Sequence, residues 1–226
     1  MRKYKYKVRS VIFDMDGVIT NTMPDHYKAW KKIMSVEGVQ VSHYDIYSRE
    51  GQRGLTSVKE LFIKYDKPFS KKKALEILDK KEQYFKKIVK VRFIIGARKF
   101  IRNLNRNKMM LALVTGTSRH ELMKILPENI RSMFSVIITG CEVKNGKPHP
   151  EPFLSALKKM NIMANEAVVI ENAPFGIESA KSAGLKCLAL ETSLSRNYLK
   201  QADAVFSSIK EMEMRVEFKP LQNDGN

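Results

Sequence analysis

Short apolar runs bounded by turn residues recur along the chain, at residues 11–13, 110–114, 136–138, 167–170 and 187–190. Runs this short and unbroken predict strands buried on both faces, the habit of a parallel sheet. Helical spacing fills the gaps: Ala97, Phe100, Ile101 and Leu104 share one helix face, and Phe153, Ala156, Leu157 and Met160 share another. Ser118 followed by Glu121 reads as a capping box, Pro150 suits a first helical turn, and Gly184 stands where a left-handed residue ends a helix. The alternation of strand and helix predicts an α/β fold, a Rossmann-like parallel sheet core with helices on both faces.

Residues 24–93 break that rhythm with three helical patterns and no buried strand. Tyr27, Trp30, Ile33 and Met34 stripe the first, residues 55–65 make the second, and Leu78, Phe85, Ile88 and Val89 mark the third. The expected division is a core of residues 1–21 and 94–226 with an inserted all-helical unit of residues 22–93. The exposed faces of that insert are expected to carry Lys71, Lys72, Lys73, Lys80, Lys81, Lys86 and Lys87, and the polar tail after Val216 is expected to fray.

Composition narrows the class. The 226 residues are 43% hydrophobic and 29% charged, a globular balance that excludes a disordered chain, a collagen-like fibre or a disulfide scaffold. Cys141 and Cys187 have no CxxC spacing and read as reduced cytoplasmic thiols. No apolar run is long enough for a bilayer, and the basic N-terminus leads straight into a short strand rather than a signal segment, so a soluble cytoplasmic protein without membrane partners is expected. The formal charge of +17 suits nucleic acid, an anionic membrane face or anionic metabolites. The basic residues are scattered, without zinc-finger spacing, an RNP-like aromatic motif or a helix-turn-helix, so no specific nucleic-acid partner is expected. Oligomeric state stays open.

Four segments carry chemistry. In VIFDMDGVITNT, Asp14 and Asp16 follow an apolar strand, at the sheet edge where ligands collect, and their spacing points both side chains the same way. In LVTGTSRHEL, Thr115 and Gly116 precede a capped helix, a combination of hydroxyl and backbone N–H groups that suits phosphate. In NGKPHPEPF, Lys147 stands between Gly146 and Pro148 as a fixed positive charge. In VVIENAPFGIESAKSAG, Glu171 and Asn172 offer oxygen donors for a hard cation such as Mg²⁺. Each has an ordinary alternative: solvated turn aspartates, loop and cap chemistry, a surface lysine, a helix N-cap. Their recurrence in order, each at or after a strand end, favours a site.

The segments DMDGVITNT, Thr115, Lys147 in GKPHPEPF and ENAPFG resemble the four motifs of the haloacid dehalogenase-like phosphotransferase superfamily, and the helical insert is similar to the cap of its β-phosphoglucomutase-like branch. The resemblance implies that Asp14 is a nucleophile forming an aspartyl-phosphate, and that Asp16 serves as general acid and then base. It further implies Mg²⁺ held by Asp14, the Asp16 carbonyl and oxygens of Glu171 or Asn172, with Lys147 neutralising charge and Thr115 and the amides near Gly116 holding phosphoryl oxygens. Many relatives carry Glu-Asp at the fourth motif; Asn172 removes one negative charge, which predicts a raised Mg²⁺ requirement. Arg49 and Arg53 in YSREGQRG, His26 near the first hinge and Arg119 after the second motif are candidate substrate contacts, whereas His43, His120 and His149 read as surface residues.

The implied activity is a Mg²⁺-dependent phosphatase of small phosphorylated metabolites such as sugar phosphates, with a hexose phosphomutase as the alternative. A non-catalytic polyanion-binding protein is a third reading, opposed by the intact acid and lysine motifs.

Overall fold

A computed structural model of the chain describes residues 4–221. In chain order, β1 (Tyr4–Val8) and β2 (Ser10–Phe13) precede α1 (Met23–Val36), α2 (His43–Tyr47), α3 (Gly54–Lys64) and α4 (Lys71–Ile88). There follow α5 (Ala97–Arg106), β3 (Met110–Val114), α6 (Arg119–Ile125), α7 (Glu128–Arg131), β4 (Val136–Ile138) and α8 (Glu151–Met160). The chain continues with β5 (Ala167–Glu171), α9 (Pro174–Ser182), β6 (Lys186–Leu190), β7 (Ala204–Phe206), α10 (Ile209–Arg215) and β8 (Val216–Pro220).

Six parallel strands form the main sheet in the order β4-β3-β2-β5-β6-β7. Every residue of β2 is buried, because neighbours flank both edges and helices cover both faces. Val11 and Phe13 join one apolar layer with Phe100, Ile101 and Leu104 of α5 and Met212 of α10. Ile12 turns the other way, toward Phe153, Ala156 and Leu157 of α8 and Ile177 of α9. Each such fully buried side chain contributes about 1.5–3 kcal/mol, so the short VIF run is a strong anchor. The α/β architecture expected from the sequence is the one that forms, including its helical insert between β2 and the next sheet strand.

Several boundaries differ. The tail does not fray at Val216: β8 pairs in parallel with β1, Tyr4 opposite Val216 and Val8 opposite Pro220. Its signal is an alternation diluted by charge. Tyr6 stacks on Phe218, which leans on Phe100, while the intervening lysines face away. Residues 222–226 of the expected fray lie outside the described residues. Pro150 is the N-cap of α8 rather than part of its first turn, a place taken by Pro152. Gly184 follows α9 with φ +77°, as expected, whereas Ser118 caps α6 through the Glu121 N–H without the reciprocal half of a capping box, the Glu121 carboxylate accepting the Ser118 hydroxyl instead.

The insert holds four helices rather than three. The unexpected one, α2, is five residues long and owes its start to Ser42 and Asp45, which cap each other reciprocally. Trp30, Met34, Val58, Leu61, Phe62 and Ile77 give this cap an apolar centre of its own, while Phe85 joins the layer beneath the sheet.

The topology dictates where a ligand can sit. Strand β2 lies mid-sheet with β3 on one side and β5 on the other, so the chain order reverses across it. Connections leave the carboxyl ends of such strands in opposite directions and open a crevice there.

Candidate active site

Asp14 and Asp16 leave the carboxyl end of β2 at the floor of a cleft of about 360 Å³ roofed by the cap. Asp14 stays in the sheet ladder, its N–H donating to the Ile170 carbonyl at 3.0 Å. Gly17, with φ +89°, turns the chain at once; a Cβ there would collide with the Asn172 amide, so only glycine lets the first loop lie against the end of β5.

The two carboxylates have opposite surroundings. Asp16 accepts hydrogen bonds from Thr117 Oγ1 at 2.9 Å and, at shorter range, from Thr22 Oγ1, and His26 Nε2 lies 3.6 Å away. Burial alone would raise Asp16, but His26, Thr22 and Thr117 outweigh it and hold the carboxyl below its ordinary value. Burial pushes Asp14 up to about 8, with Glu171 and Asp16 adding to the rise and Lys147 opposing it.

Lys147 is itself buried and lies between two acids. Its Nζ donates to Asp14 Oδ1 and Glu171 Oε1, both at 2.6 Å, and to the Val114 carbonyl at 3.3 Å. Burial would discharge this ammonium, but the paired carboxylates raise its pKa instead and keep the charge. The other Glu171 oxygen accepts the backbone N–H groups of Asn172 and Ala173, so Glu171 is fully engaged within the protein.

Among the described residues, three buried oxygens around this corner have no hydrogen-bond partner: Asp14 Oδ2, Asn172 Oδ1 and Glu50 Oε1. Orphaned buried oxygens are costly, and a hard divalent cation satisfies such donors. The described residues include no group of three or more His, Cys, Asp or Glu side chains arranged as a metal site. The donors here are a mixed set of carboxylate, amide and main-chain oxygens, and they fit Mg²⁺ rather than a softer ion.

The other residues singled out from sequence divide. Thr115, Gly116, His26, Arg49 and Arg53 line the cleft. Arg49 is occupied within the cap, donating to Glu60 at 3.3 Å and to the Asp45 carbonyl at 3.0 Å, and Arg53 reaches the Lys144 carbonyl of the core. Arg119 points away from the cleft, half-exposed and bridged to both Glu142 oxygens at 3.0 and 3.1 Å. His120, His43 and His149 are exposed.

Sequence reasoning passed over four residues. Thr22 and Thr117 complete the hydrogen bonds of Asp16. Lys81, counted with the surface lysines, lines the cleft with Nζ 3.1 Å from His26 Nδ1, while His26 stacks on Phe85 at 4.0 Å. Its position was readable, since Leu78, Lys81 and Phe85 fall on one stripe of α4. Burial, with Lys81 adding, lowers the His26 pKa and leaves the imidazole neutral at ordinary pH. The fourth is Glu50, a cap carboxylate only 7% exposed, which accepts Asn172 Nδ2 at 2.9 Å. Burial raises Glu50 well above its ordinary value, helped by Asp14, Asp16 and Glu171.

Residues 11–190 match the family of haloacid dehalogenase-like hydrolases. The chain belongs to this family. A phosphorylated carbohydrates phosphatase of Thermotoga maritima is 31% identical over 183 residues, 79% of this chain and 83% of that protein. A fructose-1-phosphate phosphatase of Escherichia coli is 28% identical over 77% of this chain and 92% of its own length. Among solved structures, a candidate β-phosphoglucomutase from Bacteroides vulgatus superposes with TM-score 0.84 at 31% identity, covering 93% of this chain and 88% of that one. The haloacid dehalogenase-like chain described here is thus an enzyme of the β-phosphoglucomutase-like branch.

Proposed function

We propose that the protein is a Mg²⁺-dependent phosphatase of small phosphorylated sugars or similar metabolites, acting through an aspartyl-phosphate on Asp14. The observation that carries this reading is the Asp14 carboxylate itself, with one oxygen clamped by Lys147 and the other free at the cleft floor beside Asp16 and Thr115. The clamp fixes the orientation of the carboxylate and with it the direction of attack on phosphorus. Attack on phosphorus breaks the ester bond as the new Asp14–phosphorus bond forms, and Asp16 protonates the departing alkoxide. A dianionic phosphoryl group beside Asp16 raises its pKa by like charge, moving it toward the protonated form this step needs. Asp16 then takes a proton from water, which attacks phosphorus and frees Asp14.

Thr115 and the backbone at Gly116 are suited to hold the remaining phosphoryl oxygens, and Lys147 keeps Asp14 and Glu171 compensated. Asp14 Oδ2, the Asp16 main-chain carbonyl and Asn172 Oδ1 would hold Mg²⁺. When bound, that ion supplies the positive charge that lets a carboxylate approach a phosphate dianion. The cleft volume of about 360 Å³ suits one small metabolite rather than a polymer.

The test is a panel of sugar phosphates and other phosphorylated metabolites assayed for phosphate release with and without Mg²⁺. Release that needs Mg²⁺ and falls by orders of magnitude in Asp14→Asn is expected; turnover surviving that substitution rejects the mechanism. The fit to the Bacteroides structure keeps a hexose phosphomutase as second reading. Glucose 6-phosphate formed from β-glucose 1-phosphate, in place of free phosphate, would establish it.

A further inference from the structure

The fourth motif carries an amide, Asn172, beside Glu171, and the cap carries a buried carboxyl group with one unpartnered oxygen, that of Glu50. We propose that Glu50 is the missing carboxylate of the divalent-cation site, delivered from the cap when it docks, so that cation binding and cap closure are one linked event. This inference rests on the Mg²⁺-dependent reading given above.

Three lines of geometry lead to it. Asn172 Nδ2 is fully used, donating to Glu50 Oε2 at 2.9 Å and to Ser193 Oγ at 2.8 Å, which leaves Oδ1 facing elsewhere without a partner. An aspartate at position 172 would instead set one carboxylate against another across the span of that hydrogen bond, so Glu50 and Asn172 fit only as a pair.

Among the described residues, no cation pairs with Glu50 either. Lys147 is committed to Asp14 and Glu171, and Arg49 to Glu60 and the Asp45 carbonyl. A buried carboxylate with an orphaned oxygen is expensive unless a positive charge arrives, and Asp14 Oδ2 and Asn172 Oδ1 are orphaned with it.

Docking, finally, is what brings Glu50 there. The loop that carries it is seated on the core: the Phe175 N–H donates to the Ser48 carbonyl at 3.3 Å, Arg53 donates to the Lys144 carbonyl, and Gly51 lies against Gly116. Donors from the two units therefore converge only in the docked arrangement, and an ion that prefers all of them draws the population toward closure.

Mg²⁺ titration of the full chain by calorimetry, without substrate, tests the idea independently of turnover; small-angle scattering in EDTA and in saturating Mg²⁺ reads closure. Glu50→Gln is expected to weaken Mg²⁺ binding about tenfold or more and to abolish Mg²⁺-dependent compaction. Moving the charge, in Glu50→Gln with Asn172→Asp, is expected to recover most of the affinity, which a merely structural Glu50 would not allow. Asn172→Asp alone should expand the ion-free protein. Mg²⁺ affinity within about twofold of wild type in both Glu50→Gln and Glu50→Ala, with Asp14→Asn still losing it, would overturn the role of Glu50 and leave the phosphatase reading standing. A wild-type chain that takes up no Mg²⁺ would overturn both.

Discussion

Asp14 is an acid kept where its charge is costly. Burial pushes it up to about 8, so the folded ion-free chain holds a proton that the unfolded chain sheds near pH 4. A raised carboxyl pKa contributes stability that is fully present below the unfolded value and is lost as pH rises through the folded one. In EDTA, the melting temperature of wild type minus that of Asp14→Asn should therefore shrink steadily from about pH 5 to about pH 8, followed by circular dichroism. A constant difference across that range would contradict the burial argument. Asp16, two residues away, is held low by His26, Thr22 and Thr117. That both acids share a strand end is legible in DMDG. Their opposite electrostatics are not, because the partners come from α1 and from the loop after β3.

The element most dependent on one side chain is α2. Asp45 closes its capping box with Ser42 and accepts Lys64 Nζ and Tyr65 Oη at the end of α3, tying two cap helices together from a buried position. Burial alone would raise this carboxyl, but Lys64, Tyr65 and Ser42 hold it well below the ordinary carboxylate range. Asp45→Ala should cost about 2–4 kcal/mol in chemical denaturation at neutral pH. The sign is that of a depressed acid: the ionisation-linked contribution is present above the unfolded pKa and is lost as pH falls through the folded one, so the gap between wild type and variant should narrow progressively below about pH 4. A gap that stays constant on acidification would refute it. The longer helices of the cap were readable from their stripes, whereas α2 is too short for any period and exists through its cap. Strand β8 escaped notice for a related reason: its partner β1 lies at the opposite end of the sequence.

At the scale of the whole molecule, the cleft is shut by backbone lying on backbone. A Cβ on Gly116 would fall 2.7 Å from the Gly51 Cα, so Gly116→Ala should prop the cap away from the core. The expected results are a larger radius of gyration by scattering and kcat/KM lower by about a hundredfold, with the unfolding midpoint little changed. Unaltered kcat/KM would show that this close approach is not needed for turnover. The alternation of short apolar runs with amphipathic stretches by itself determined the parallel sheet, the helical insert and the strand ends bearing Asp14, Thr115 and Glu171, because periodicity and burial are local properties of the chain. Only the tertiary structure decided that Glu50 meets Asn172, that Lys81 faces the cleft and that Arg119 turns away. Those outcomes depend on how two packed units dock across a hinge, and docking is set by surfaces whose residues lie far apart in sequence.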